Sequence, residues 1–296
     1  MGTEMHGSTV PRRQLGRSVR EARVAAGFTV RAAAKALEWS DTKIWRIETG
    51  QVSIRSFDVA AMCEVYGVRP DLTDALKALS KETKARGWWH SYGDAIPDWF
   101  DIYMALEGAA SEIRWYESSL VPGLCQTASY ARIIMSTGTA GFTDEENERR
   151  VLVRMRRKSL VTRSADPVRL DIVIDEAALR RPIGGPGVMA AQCHHLAELS
   201  ELENVMIRVL PIEAGAHHGL NSGPFMILRF PVRGDGTPLE PPTVFVEGCT
   251  GALYLDEPAK VARFDTAFTQ MLATVRDENG DRSRDLLRKL TKEHYG

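Results

Sequence analysis

The sequence predicts a two-part protein, an all-α five-helix domain followed by a larger mixed α/β (α+β) domain. Three observations predict it. Apolar residues recur at helical spacing in five short runs between residues 15 and 80. Beyond residue 81 an aromatic stretch gives way to β-branched runs bounded by Gly, Pro or Asn. A chain of 296 residues is also too long for one small core and suits about two domains at roughly 150 residues each.

Residues 1–14 carry Gly, Ser, Thr and Pro without an apolar period and read as a flexible arm. In the first helix Leu15, Val19, Ala22 and Ala26 share a face until Gly27, which can stop a helix by taking a positive φ. Thr29 is a good N-cap for a second helix with Val30, Ala33, Ala34 and Leu37 inside. Ser40 caps a third, in which Ile44 and Ile47 point inward before Gly50 ends it. Ser56 starts a fourth with Phe57, Ala60 and Val65 inside, and Asp71 a fifth with Leu72, Ala75, Leu76 and Leu79. These elements define a domain over residues 15–80.

The second domain, 81–296, opens on Trp88, Trp89, His90, Tyr92, Pro97, Trp99 and Phe100, where the junction is placed. Trp99, Tyr103, Leu106, Ala110 and Ile113 have the spacing of one inward helical stripe. Strands are expected at 169–174, 205–210, 224–230 and 243–247, and helices at 144–159 and 187–202. A final helix has Val261, Phe264, Phe268, Met271 and Val275 on one face.

A composition of 44% apolar and 26% charged residues is that of a folded globular chain and excludes pervasive disorder. The formal net charge of -1 hides an asymmetry. Residues 1–80 hold 12 Lys and Arg against 9 Asp and Glu, whereas the remainder holds 26 against 30, so only the N-terminal part leans toward a polyanion. The four cysteines form no C-x-x-C pair and read as reduced thiols. No apolar run approaches the roughly 18 residues of a membrane span and no signal-peptide core opens the chain, so a cytoplasmic location without membrane attachment is expected.

The second and third helices are joined by so short a turn that they must cross steeply, which is helix-turn-helix geometry. The third then projects polar residues toward a major groove about 12 Å wide, while the second braces against phosphates. Thr42, Lys43 and Arg46 face away from Ile44 and Ile47, and Lys43 and Arg46 suit guanine O6 and N7. Asp41 can accept from cytosine N4 or complement the helix start. Thr29, Arg31, Ser40, Thr49 and Gln51 complete the expected DNA-binding set. Trp45 lies between the buried and outward faces, where it packs against the fourth helix or covers a sugar.

Over residues 15–68 the sequence resembles the Cro and phage-repressor type of helix-turn-helix, the xenobiotic-response-element family. Arg23, Gly27, Thr29, Ala34, Leu37, Ser40, Ile44, Arg46, Ile47, Glu48, Gly50 and Tyr66-Gly67-Val68 carry the resemblance. It implies a salt bridge between Arg23 and Glu48 linking the first and third helices, which keeps Arg23 from DNA. Val30 stands where the family has Gln, so Arg31 is expected to supply the phosphate contact. Glu38 replaces the turn glycine, where a positive φ costs about 1 kcal/mol or more and implies a slightly remodelled turn.

A second resemblance, to the Scr1-like, antitoxin-like C-terminal domain of actinobacterial regulators, follows from motifs in order. These are Gly87-Trp88-Trp89, Leu106-Glu107, Val121-Pro122-Gly123-Leu124-Cys125-Gln126-Thr127 with Tyr130-Ala131-Arg132, and 175–181 followed by Gly184-Gly185. Later come Met189 with Gln192, Val209-Leu210-Pro211, Gly215-Ala216-His217 and Gly223-Pro224-Phe225. The resemblance implies a regulator often encoded beside a small acidic partner protein, and no established reaction.

The paired histidines His194-His195 and His217-His218 point apart on a regular element, whereas zinc needs three or four converging ligands, so no metal or other cofactor is expected. Glu176, Arg180 and Arg181, with His217, either line a ligand or partner pocket or serve as a helix cap and salt bridge. The basic stretch 149–163 reads as a second phosphate patch, a docking surface for an acidic partner, or a solvated helix face.

The expected function is a sequence-specific DNA-binding transcriptional regulator, a homodimer on an inverted repeat of double-stranded DNA, with a signal-receiving C-terminal domain. The alternative is an antitoxin-like interaction protein that binds a small acidic partner and regulates its own gene. No nucleophile, metal or phosphate-cradle signature suggests an enzyme.

Overall fold

The computed structural model describes residues 9–83, 98–137, 142–232, 234, 236–248 and 251–295, in two compact units. Residues 1–8, the Gly87-Trp88-Trp89 motif with His90, Tyr92 and Pro97, and Cys249 lie outside the described residues.

In the N-terminal unit five helices follow one another: α1 (Thr9–Ala25), α2 (Val30–Ala36), α3 (Asp41–Glu48), α4 (Ser56–Tyr66) and α5 (Pro70–Glu82). Leu15, Val19, Ala33, Ala34, Ile44, Ile47, Val59, Met62 and Leu76 form its core. Close approach of α1 and α3 depends on Gly16, because a Cβ there would stand 2.5 Å from the Ile47 carbonyl oxygen. Residues 100–109 of the next helix, α6 (Asp98–Ala109), belong to this unit as well, although the sequence places the junction at residue 81.

Three sequence expectations need correction here. Helix α1 begins at Thr9, so the arm cannot extend to residue 14, and Val10 in its first turn is buried. Phe57 is 82% exposed, because the inward stripe of α4 is Val59, Met62, Cys63 and Tyr66, and a residue two places before Val59 points to the opposite side at about 100° per residue. Of the four apolar residues expected inside α5 Leu76 is buried and Leu79 partly so, whereas Leu72, at 45%, and Ala75 are exposed.

The C-terminal unit is built on a six-stranded sheet in the order β3-β2-β1-β4-β5-β6. The strands are β1 (Glu112–Glu117), β2 (Arg169–Asp175), β3 (Val205–Leu210), β4 (Phe225–Arg229), β5 (Thr243–Gly248) and β6 (Gly251–Leu255). β1, β2 and β3 are parallel, with Ile113 beside Leu170 and Ile172 beside Ile207, while β4, β5 and β6 run antiparallel. Around the sheet lie α7 (Ala128–Thr137), α8 (Asp144–Arg157), α9 (Ser159–Thr162), α10 (Glu176–Arg180), α11 (Pro186–Leu199), α12 (Gly219–Ser222), α13 (Pro258–Val275) and α14 (Asp281–Lys289). Tyr116, Val173, Phe225, Ile227 and Val244 meet Phe268 and Met271 of α13 in one core. The protein is thus multidomain, an all-α helix-turn-helix domain followed by a mixed α/β domain.

The helical stripe expected through Ala110 and Ile113 stops at Ala109. Glu112–Glu117 is instead a central strand, paired with β2 on one side and β4 on the other, and its polar members are accommodated in pairs. Arg114 donates to Glu112 at 3.0 Å and to Asp265 of α13 at 3.2 Å, and Arg229 donates to the same carboxylate at 2.6 and 2.7 Å. Among the described residues no helix is long and apolar enough to cross a membrane.

Candidate nucleic-acid interface

Two hydroxyl caps set the phase of the helix pair. Thr29 Oγ1 accepts from the Ala32 amide at 3.1 Å, and Ser40 Oγ accepts from the Lys43 amide at 3.2 Å, satisfying amides that the first turn of a helix leaves without intrahelical partners. Between the helices Glu38 takes φ 56°, while the Trp39 amide donates to the Ala34 carbonyl at 2.8 Å. The glycine-like turn is therefore retained, and Glu38 carries the strain instead of the turn being remodelled.

Ile44, Ile47 and Glu48 are the buried residues of α3. Arg23 of α1 reaches Glu48 with two nitrogens, Nε to Oε1 at 2.6 Å and Nη2 to Oε2 at 2.9 Å, and gives its third to the Phe28 carbonyl at 2.6 Å. All three nitrogens of this buried guanidinium thus have acceptors, and the hydrogen bonds and charge of Glu48 raise its pKa further against the opposing effect of burial. The pair fixes which side of α3 faces inward.

At about 100° per residue, the side opposite Ile44, Ile47 and Glu48 is centred on Thr42, Arg46 and Thr49. All three are exposed, as is Asp41 at the helix start. The Thr49 hydroxyl donates back to the Trp45 carbonyl at 2.8 Å, and the backbone N–H of the exposed Gln51 donates to the Arg46 carbonyl at 2.9 Å. Arg31 is exposed in the first turn of α2, with Val30 partly buried against the core.

Two residues of α3 behave differently from a simple outward-facing reading. Trp45 is 52% exposed and so is not a core residue packed under α4; it flanks Arg46 on the open side of the helix. Lys43 is held by its own domain, its Nζ 3.3 Å from the centre of the Trp39 ring and 3.6 Å from Asp58. Residue spacing alone does not reveal this hold, because Asp58 lies on the next helix.

In the C-terminal unit Glu176 is buried and already occupied: it accepts from Arg180 Nε at 2.7 Å and from the Ile212 amide at 3.1 Å. Arg181 is exposed, and His217 turns toward Asp175 instead, with Nε2 3.4 Å from Oδ2. Several arginines of α8 meet partners in their own unit. Arg149 lies 3.8 Å from Glu145, Arg150 stacks over Phe142 at 4.6 Å, Arg154 donates to Gln126 at 2.9 Å, and Arg157 is buried. His195 Nε2 lies 2.7 Å from Lys158 Nζ, and His194 is 3.4 Å from Glu198. Among the described residues no three His, Cys, Asp or Glu side chains are grouped to hold a metal ion.

Two protein families match the chain. Residues 14–76 match a helix-turn-helix domain, and residues 100–289 match a domain of unknown function (DUF5753). Comparison with curated proteins and with solved structures finds no match.

Proposed function

The chain belongs to the family of the domain of unknown function (DUF5753), and because a helix-turn-helix domain precedes that domain here, we propose that this DNA-binding regulator is a sequence-specific transcription factor whose C-terminal unit receives the signal. The observation that carries the reading is the outward side of α3. Thr42 and Arg46 stand exposed on a helix whose inner side is locked by Ile44, Ile47 and the Arg23–Glu48 pair.

On DNA, Arg46 addresses guanine O6 and N7 and Thr42 a thymine methyl or a phosphate. Arg31 and the helix starts at Thr29 and Ser40 meet phosphates, as does the Gln51 side chain beyond α3. Lys43 first has to leave Trp39 and Asp58, so it contributes less to base readout than Arg46. One helix reads only a few base pairs, so the protein acts as a homodimer on half-sites about one helical turn apart. It acts by binding, without a catalytic step.

The alternative of an antitoxin-like protein that captures a small acidic partner draws little support from α8, where Arg150 stacks on Phe142 and Arg154 donates to Gln126 within the same unit. Selection of binding sites from random duplex DNA tests the main reading. Enrichment of an inverted repeat supports it, and recovery of no common sequence overturns it.

A further inference from the structure

The six strands follow the order 3-2-1-4-5-6, and the chain leaves β1 toward β2 on one side while β4 covers the other. In open α/β sheets, ligands bind beyond the carboxyl ends of the parallel strands. The residue at that place is Tyr116, near the end of β1, with Asp175 ending the neighbouring β2.

Tyr116 is fully buried, and its Oη makes no well-formed hydrogen bond among the described residues, the nearby Ser118 hydroxyl only weakly favouring its ionised form. His217 meets it edge to face, ring centroids 6.2 Å apart, with a side chain only 4% exposed and an Nδ1 that likewise has no partner. Buried polar groups are nearly always paired, so two orphans on adjoining rings mark a place where a partner belongs. The segment that brings His217 here also covers the phenol. At Gly219 a Cβ would lie 2.4 Å from Tyr116 Oη, so only glycine permits this approach. Gly215 and Gly223, both at φ 64°, bound the segment.

We propose that Tyr116 and His217 form a recognition site, closed by residues 215–223, for a small uncharged molecule bearing a hydroxyl or a carboxamide. With Nε2 turned to the Asp175 carboxylate, Nδ1 is the ring nitrogen left to face a ligand beside the phenol hydroxyl. One group that both donates and accepts satisfies the two together. An anion is opposed by the Asp175 carboxylate, and burial, reinforced by that carboxylate, keeps the phenol protonated. An unpaired cation is opposed by the loss of its hydration in a buried site. The site rests on the reading of the C-terminal unit as the receiver of a signal, and would supply that signal's entry point.

Thermal melting of the full chain with uridine, myo-inositol and nicotinamide, against uridine monophosphate and nicotinic acid as charged counterparts, tests the site. At least one neutral probe should raise Tm by about 2 °C or more, its charged counterpart should not, and Tyr116→Phe and His217→Leu should each weaken that probe at least about tenfold. Without a probe, Tyr116→Phe should melt no lower than wild type, because it deletes an unpaired hydroxyl. The proposal is overturned if no neutral probe shifts Tm, if the charged counterparts shift it equally, if Tyr116→Phe binds as wild type does, or if that variant alone melts lower. A parallel operator titration separates the two ideas. A neutral probe that binds in these variant-sensitive terms while DNA affinity stays constant supports the site and removes its role in signalling.

Discussion

Arg23 and Glu48 are 25 residues apart in sequence and meet through two parallel hydrogen bonds, at 2.6 and 2.9 Å, beneath the outward helix. The two-pronged geometry ties α1 to α3 and leaves neither charge uncompensated. Removing one partner strands the other in a site where water cannot replace it, so Arg23→Ala or Glu48→Ala should cost about 3 kcal/mol or more. Chemical denaturation of the N-terminal transition checks this. A paired Arg23→Met, Glu48→Leu replacement should cost clearly less than either single change, because no buried charge remains.

Glu38 holds φ 56° in the turn before α3. Glycine takes this conformation without steric cost but gains freedom in the unfolded chain, so the two effects partly offset. Glu38→Gly should stabilise the domain by about 0.5–1 kcal/mol, whereas Glu38→Val should destabilise it. Urea midpoints of the three proteins decide the order.

Arg46 and Arg31 are both exposed, yet their places imply different losses. Arg46→Ala should weaken the selected operator by about 1–3 kcal/mol and relax one base preference, while Arg31→Ala should weaken all sequences alike. Titrations on specific and random duplexes separate the two. Equal losses on both for Arg46→Ala would contradict base readout.

Trp45 offers a sharper division between stability and binding, since half of its surface is open. Trp45→Ala should change unfolding free energy by no more than about 0.5 kcal/mol, in the range of ordinary surface changes, yet reduce operator affinity measurably. A large drop in stability with unchanged affinity would assign the indole to packing.

Glu117 follows Tyr116 at the end of β1, and burial pushes its carboxyl up to about 7, with the Trp115 indole opposing and the Glu247 carboxylate adding to the shift. The folded protein therefore holds this proton more tightly than the unfolded chain does. Stability from the protonated carboxyl is fully present below about pH 4.5 and is lost as pH rises to about 7. Glu117→Gln should flatten that part of the Tm profile between about pH 5 and 8, leaving the variant the more stable protein at the alkaline end.

The N-terminal helices were legible because their signals are local. Thr29 and Ser40 bond amides three residues away, and Ile44 and Ile47 share a face by spacing alone. The same logic fails for Phe57, an apolar residue whose type points inward while the phase of Val59 and Met62 turns it outward. Around β1, Glu112 and Arg114 masked a central strand, because their partners, Asp265 and Arg229, lie more than a hundred residues away.

By itself the sequence determined the helix pair, its caps and the polar side of α3, since each depends on contacts within a few residues. Tertiary structure alone decided that Lys43 is held by Asp58 and that Trp45 stands open. It likewise brought the unpaired groups of Tyr116 and His217 together at one end of the sheet. The physical reason is that burial and pairing are properties of what surrounds a side chain, and for these residues the surroundings come from distant chain.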